Sequence, residues 1–188
     1  ALMLAQRYPG VVIDAIEIEP AAAAQAGENV KASNYSDRIA VYPVSLQNFA
    51  GPGKAGHYDL VVCNPPYFHR SYRSRSRTRS LARHDDSLPL TDLFHTGRDL
   101  LIREGRLELI LPVYLYREAR KQAVSLGMHL QRVLYVKPTP DQPVKRILAS
   151  FGFIPCEPER TWLVVESGGR HVYSDAYAAL TRDFYLKM

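Results

Sequence analysis

Residues Asp59 to Tyr67, DLVVCNPPY, restrict what this chain can fold into more than any other stretch. Leu60, Val61, Val62 and Cys63 form a short apolar run, the pattern of a strand covered on both faces. Asn64, Pro65, Pro66 and Tyr67 then stop it. Neither proline has an N–H for a ladder, each fixes φ at about −65°, and each holds the residue before it extended. The prediction is a rigid corner at the carboxyl end of a buried strand, where open α/β sheets place their ligands.

Such a corner has a definite chemistry. The Asn64 amide oxygen and the Pro65 carbonyl are two acceptors that can take both hydrogens of an exocyclic amine. That draws the nitrogen towards tetrahedral geometry and frees its lone pair for an electrophilic methyl group. Tyr67 adds a flat face on which a purine can stack. The plainer reading is a strand followed by a Pro-Pro turn.

Composition sets the class. The chain has 188 residues, the size of a single domain, with 46% hydrophobic and 23% charged residues as in an ordinary globular protein. No apolar run approaches a membrane span and no leader pattern is present, so a cytoplasmic protein is expected. Cys63 and Cys156 are isolated, and the six histidines show no ligand spacing, so neither a disulfide framework nor a metal site is expected. The formal charge of +5 favours a polyanionic partner only weakly as a bulk figure.

Its distribution is more telling. Between Phe68 and Asp86, Arg70, Arg73, Arg75, Arg77, Arg79 and Arg83 alternate with serines, Tyr72, Thr78 and His84. Guanidinium groups so crowded cannot be buried together, and beside hydroxyls they match phosphate oxygens. The segment reads as a basic loop that grips nucleic acid, or otherwise as a solvated Arg-Ser linker. Lys145 and Arg146, flanking a Pro-rich loop at 137–145, are further candidates for an RNA backbone.

Along the chain, Ala1–Tyr8 reads as the end of a helix broken at Pro9-Gly10. Val11–Glu19 reads as a strand with Glu17 and Glu19 near its carboxyl end, where a carboxylate can accept both ribose hydroxyls of a nucleoside cofactor or simply favour a helix start. Pro20 opens an alanine-rich helix. Further strands are expected at 39–44, 105–112 and 129–137, and helices from Pro89 and over 116–126, the latter stopped by Gly127. Arg146–Phe153 and Thr161–Glu166 are expected to pair as an antiparallel edge hairpin. Trp162 is expected to pack, and Ser174 to cap a final helix.

DLVVCNPPY resembles the fourth motif of amino-group methyltransferases that use S-adenosylmethionine. With DAIEIEPAAAAQAGENV, EGRLELILP, KRILASF and the tail YSDAYAALTRDFYL, the chain is similar to the bacterial valine-tRNA adenine-N6-methyltransferases. The resemblance implies a Rossmann-like class I methyltransferase fold, a doubly wound and mostly parallel sheet forming one domain over residues 1–188. It implies S-adenosylmethionine as cofactor, tRNA as partner and adenine N6 at position 37 as target. By the same resemblance Glu17 binds the cofactor ribose, Asn64 and Pro65 hold the amine, and Tyr67 stacks on the base. Ser45 stands where the family usually has an acidic residue contacting the cofactor's adenine. A strand and glycine-rich turn precede the first helix in the family, so the chain is expected to be truncated at its amino end. The alternatives are a protein-glutamine methyltransferase, which shares NPPY, and a non-catalytic RNA-binding remnant.

Overall fold

The computed structural model describes residues 1–65 and 88–185. It divides into two compact units, Ala1–Ala55 and the chain from Gly56 onward.

The first unit holds α1 (Leu2–Arg7), β1 (Ile13–Ile16), α2 (Pro20–Lys31), β2 (Ile39–Tyr42) and the short α3 (Leu46–Phe49). β1 and β2 pair in parallel, Ile13 opposite Ile39 and Ile16 opposite Tyr42. Ala5, Val30 and Ile39 form a small core with Leu2, Ile13, Tyr35 and Val41 packed on it. Pro20 occupies the first turn of α2 as expected, where its missing N–H costs nothing. Arg38 ties the end of α1 down. Its guanidinium donates to the carbonyls of Ala5 (3.1 Å), Tyr8 (3.3 Å) and Val11 (3.1 Å), which would otherwise lack intrahelical partners or face solvent.

The second unit holds β3 (Tyr58–Cys63), α4 (Leu90–Leu100), β4 (Leu101–Pro112), α5 (Val113–Ser125), β5 (His129–Lys137), β6 (Arg146–Gly152), β7 (Glu159–Val164) and α6 (Asp175–Thr181). Its sheet has the order β3-β4-β6-β5-β7. β3 is parallel to β4 and β7 to β5, whereas β6 is antiparallel to both β4 and β5. Only β6 therefore runs against the other four strands. Its core centres on Phe94 and Phe151, edge to face at 5.1 Å, with Leu107, Leu111, Met128, Val133 and Ile147 buried around them. Gly105 sits where β4 bulges against β3, and a Cβ there would lie 2.9 Å from the Tyr58 carbonyl oxygen. Gly127 ends α5 at φ 70°, with the Met128 N–H on Ala123 O and the Gly127 N–H on Val124 O, a Schellman closure that glycine makes without strain.

Two expectations need correction. β6 and β7 run in opposite directions but do not pair, because β5 lies between them; the antiparallel hairpin is β5–β6. β3 is not covered on both faces: Leu60 and Val62, which share one side of the strand, are 44% and 55% exposed. Trp162 packs one face on Tyr135, the ring centroids 5.2 Å apart, while remaining 63% exposed. β4 and α5 also begin earlier than expected, at Leu101 and Val113.

Candidate active site

β3 ends at Cys63, so Asn64 stands as the first residue beyond the carboxyl end of the strand. Asn64 is exposed and Pro65 is buried. The corner thus has an anchored base and an accessible amide, the arrangement required to present acceptors to a ligand. Burial pushes the Cys63 thiol up to about 11, so beside this corner it stays protonated at neutral pH and is no nucleophile. Tyr67 and the arginines at 70, 73, 75, 77, 79 and 83 lie outside the described residues.

Strand pairing places Lys145 and Arg146 at this same end. Cys63 is opposite Leu109, and Arg146 is opposite Pro112, three residues further in the direction of β3 and β4. Both basic residues are exposed, and β6 is two strand spacings from β3, about 10 Å. The Lys145 N–H is held by Val136 O at 2.9 Å, which fixes the backbone at the base of these two side chains.

In the first unit, the carboxyl ends of β1 and β2 carry Glu17 and Ser45. The Glu17 N–H bonds Tyr42 O at 3.1 Å, continuing the ladder, and its Oε1 accepts the Glu19 N–H at 2.9 Å. Among the described residues its Oε2 has no hydrogen-bond partner, so the half-buried carboxylate can accept from a ribose hydroxyl. Glu19 is committed elsewhere: it is the N-cap of α2, its Oε2 accepting the Ala22 N–H at 2.6 Å. Place in the chain thus separates two carboxylates that composition could not: Glu17 continues the strand ladder and is half-buried, Glu19 is exposed at the start of α2. Ser45 caps α3, its hydroxyl oxygen accepting the Asn48 N–H at 3.2 Å. It retains one lone pair and one proton for a ligand, less than a carboxylate would offer.

The same unit carries a cluster that the sequence reading missed. Lys54 pairs with Asp14 at 2.7 Å while its ammonium lies 4.8 Å from the Phe49 ring and 5.4 Å from Tyr42. The only sequence signal was an isolated lysine in a Gly-Pro-rich loop, 40 residues from its partner.

Comparison with known proteins assigns the chain. Residues 1–115 match the model of the methyltransferase small domain. A tRNA1(Val) (adenine(37)-N6)-methyltransferase of Parabacteroides distasonis is 42% identical over all of this chain and 78% of its own length. One of the same name from Flavobacterium psychrophilum is 40% identical over all of this chain and 80% of its own. The chain belongs to the tRNA1(Val) (adenine(37)-N6)-methyltransferase family. Its fold is the Rossmann-like class I methyltransferase fold. A solved structure titled a predicted O-methyltransferase, from Agrobacterium tumefaciens, superposes with a TM-score of 0.69 at 18% identity, over 95% of this chain and 81% of that one. Among the described residues no helix is long and apolar enough to cross a membrane.

Proposed function

We propose that this family member transfers the methyl group of S-adenosylmethionine to N6 of adenine 37 in a valine tRNA, in the cytoplasm. The observation that carries the reading is the exposed Asn64, set directly after β3 on a buried Pro65 in a chain of this family. S-adenosylmethionine supplies the electrophilic methyl group. Glu17, with one carboxylate oxygen open at the end of β1, fits the cofactor's ribose, and Ser45 offers a single hydrogen bond to its adenine.

Asn64 Oδ1 and the Pro65 carbonyl accept the two N–H bonds of the target amine. They localise its lone pair and meet the positive charge that builds on nitrogen, which is where fixed dipoles lower a barrier most. No strong base is needed, because the amine becomes acidic as that charge develops and releases a proton to water. Tyr67 provides the stacking surface for the extruded base. Lys145, Arg146 and the arginines between 70 and 83 hold phosphates.

The test is methyl transfer by the full-length protein to a valine tRNA transcript and to one carrying guanine at position 37. Incorporation into the first alone, recovered as N6-methyladenosine at that position, is expected. Methylation of a glutamine side chain in place of tRNA would sink the proposal.

A further inference from the structure

An exposed aromatic run lies at the far side of the second unit's sheet, away from β3. Tyr135 on β5 and Trp162 on β7 are direct partners in the parallel pairing, so both rise from the same face. Their rings stack with centroids 5.2 Å apart and planes 25° from parallel. Tyr116, from the first part of α5, meets Tyr135 edge-on at 6.2 Å, and Arg120 lies 5.9 Å from the Tyr116 ring. An open groove of about 500 Å³ continues along α5, lined by Tyr116, Arg117, Arg120, Lys121, Val124 and Ser125. Trp162 is one of the most exposed large apolar side chains of the protein at 63%, although one of its faces is already on Tyr135. A tryptophan held by a stacked neighbour, and still open, is costly to leave in water unless something covers it.

Charge narrows what that is. α5 carries Arg117, Arg120 and Lys121 against Glu118, a net of +2. Lys121 lies 4.0 Å from Glu118 and Arg160 is held by Glu157 at 2.7 Å, which leaves Arg117 and Arg120 for an anion. A rigid aromatic platform bordered by unneutralised guanidinium groups is the composition of a surface for unpaired nucleotides.

Register ties the platform to the active corner. Cys63, Leu109, Ala149 and Val133 share one level across the sheet. Tyr135 lies two residues beyond Val133, and so, with Trp162, two residues past the level of Cys63 towards the end of the sheet that carries Asn64. The lateral separation is three to four strand spacings, about 14 to 19 Å, the reach of roughly four to six stacked nucleotides at ~3.4 Å each.

From this geometry we infer that Trp162, backed by Tyr135 and Tyr116 and flanked by Arg117 and Arg120, is a second docking site for the tRNA substrate. It stacks an unpaired base a few nucleotides from the adenine held at Asn64. The inference rests on the tRNA reading above. Trp162 touches no reacting atom, so its effect belongs to binding.

The experiment measures tRNA affinity, KM and kcat for full-length wild type, Trp162→Ala, Trp162→Phe and the Arg117→Gln/Arg120→Gln pair. Trp162→Ala is expected to raise Kd and KM for tRNA by about five- to a hundredfold with kcat at saturation unchanged, and Trp162→Phe to restore most of the loss. The double arginine variant should flatten the slope of log K against log salt by about 1.4 to 1.8. If wild type methylates tRNA while Trp162→Ala binds it within twofold of wild type, the platform is overturned and the tRNA reading stands. If wild type methylates no tRNA, that reading falls and the platform falls with it. Sedimentation of the same proteins supplies the remaining arm: a wild-type dimer that Trp162→Ala dissociates without loss of tRNA affinity assigns the surface to a second copy instead.

Discussion

At the end of β1 two carboxylates stand two residues apart, and their positions separate what they do. Each keeps one oxygen open, but Glu19 is exposed and caps α2 through the Ala22 N–H, whereas Glu17 is half-buried directly after β1, with Oε1 on the Glu19 N–H and Oε2 open. Glu17→Ala is expected to weaken S-adenosylmethionine binding about tenfold to a hundredfold, as for a lost hydrogen bond to a charged group, with little change in melting temperature. Glu19→Ala should do the reverse, costing about 1 kcal/mol of stability through the lost cap and leaving affinity intact. Calorimetric titration beside thermal unfolding of the full-length variants reads both, and an exchanged pattern would give the ribose to Glu19. Asn64 calls for a different measurement. It is exposed, so Asn64→Ala removes little packing, but loss of one positioned acceptor commonly costs roughly 3 kcal/mol in the barrier, a hundredfold or more in kcat. Near wild-type turnover in that variant would show that the amine is held elsewhere.

Elements show where local reading of the chain succeeds and where it stops. Signals confined to a few residues were legible: Pro20 opening α2, Gly127 closing α5, Ser174 capping α6 through the Tyr177 N–H. The end of β3 just before Asn64 was legible for the same reason, since a proline acts on its immediate neighbours. Pairing was not. Arg146–Gly152 and Glu159–Val164 alternate convincingly and are close in sequence, but alternation says which face a residue takes and nothing about which strand lies beside it. The intervening Ile154-Pro-Cys-Glu-Pro158 segment has too many prolines for a tight hairpin, and the chain passes across β5 instead. The exposure that Trp162 keeps beside its Tyr135 contact was hidden on the same ground, because β7 is the outermost strand. Arg38 was invisible too, its three carbonyl partners lying 27 to 33 residues away. Arg38→Ala is expected to destabilise the protein by about 2 kcal/mol, because it removes the guanidinium donors from the Ala5, Tyr8 and Val11 carbonyls and a cation from a helix carboxyl end. Arg38→Lys should recover only part of this, since an ammonium cannot span the three acceptors as a fork does. Urea unfolding of the three proteins decides it, and an unchanged midpoint in Arg38→Ala would mean that water replaces the guanidinium at no cost.

For the molecule as a whole, the question is how a protein of only moderate basicity holds a polyanion as large as tRNA. Its formal charge of +5 arises from 24 lysines and arginines against 19 acidic residues, so most cations are balanced somewhere in the chain. Six arginines fall between positions 70 and 83 with no acid among them, and with Asp85 and Asp86 the stretch 70–86 carries a formal +4. The bulk figure therefore understates the local one. If those arginines meet phosphates, their contribution to affinity comes from release of counterions and carries no sequence information. Replacing Arg73, Arg75, Arg77 and Arg79 by alanine lowers the formal charge from +5 to +1. The variant should bind cognate and non-cognate tRNAs more weakly by the same factor, and should flatten the slope of log K against log salt by about 3, at roughly 0.7 to 0.9 for each phosphate that is no longer neutralised. A slope equal to that of wild type would mean that these arginines touch no phosphate. A loss confined to valine tRNA would mean that they read bases, and discrimination would then have to be sought in this segment and not at Asn64.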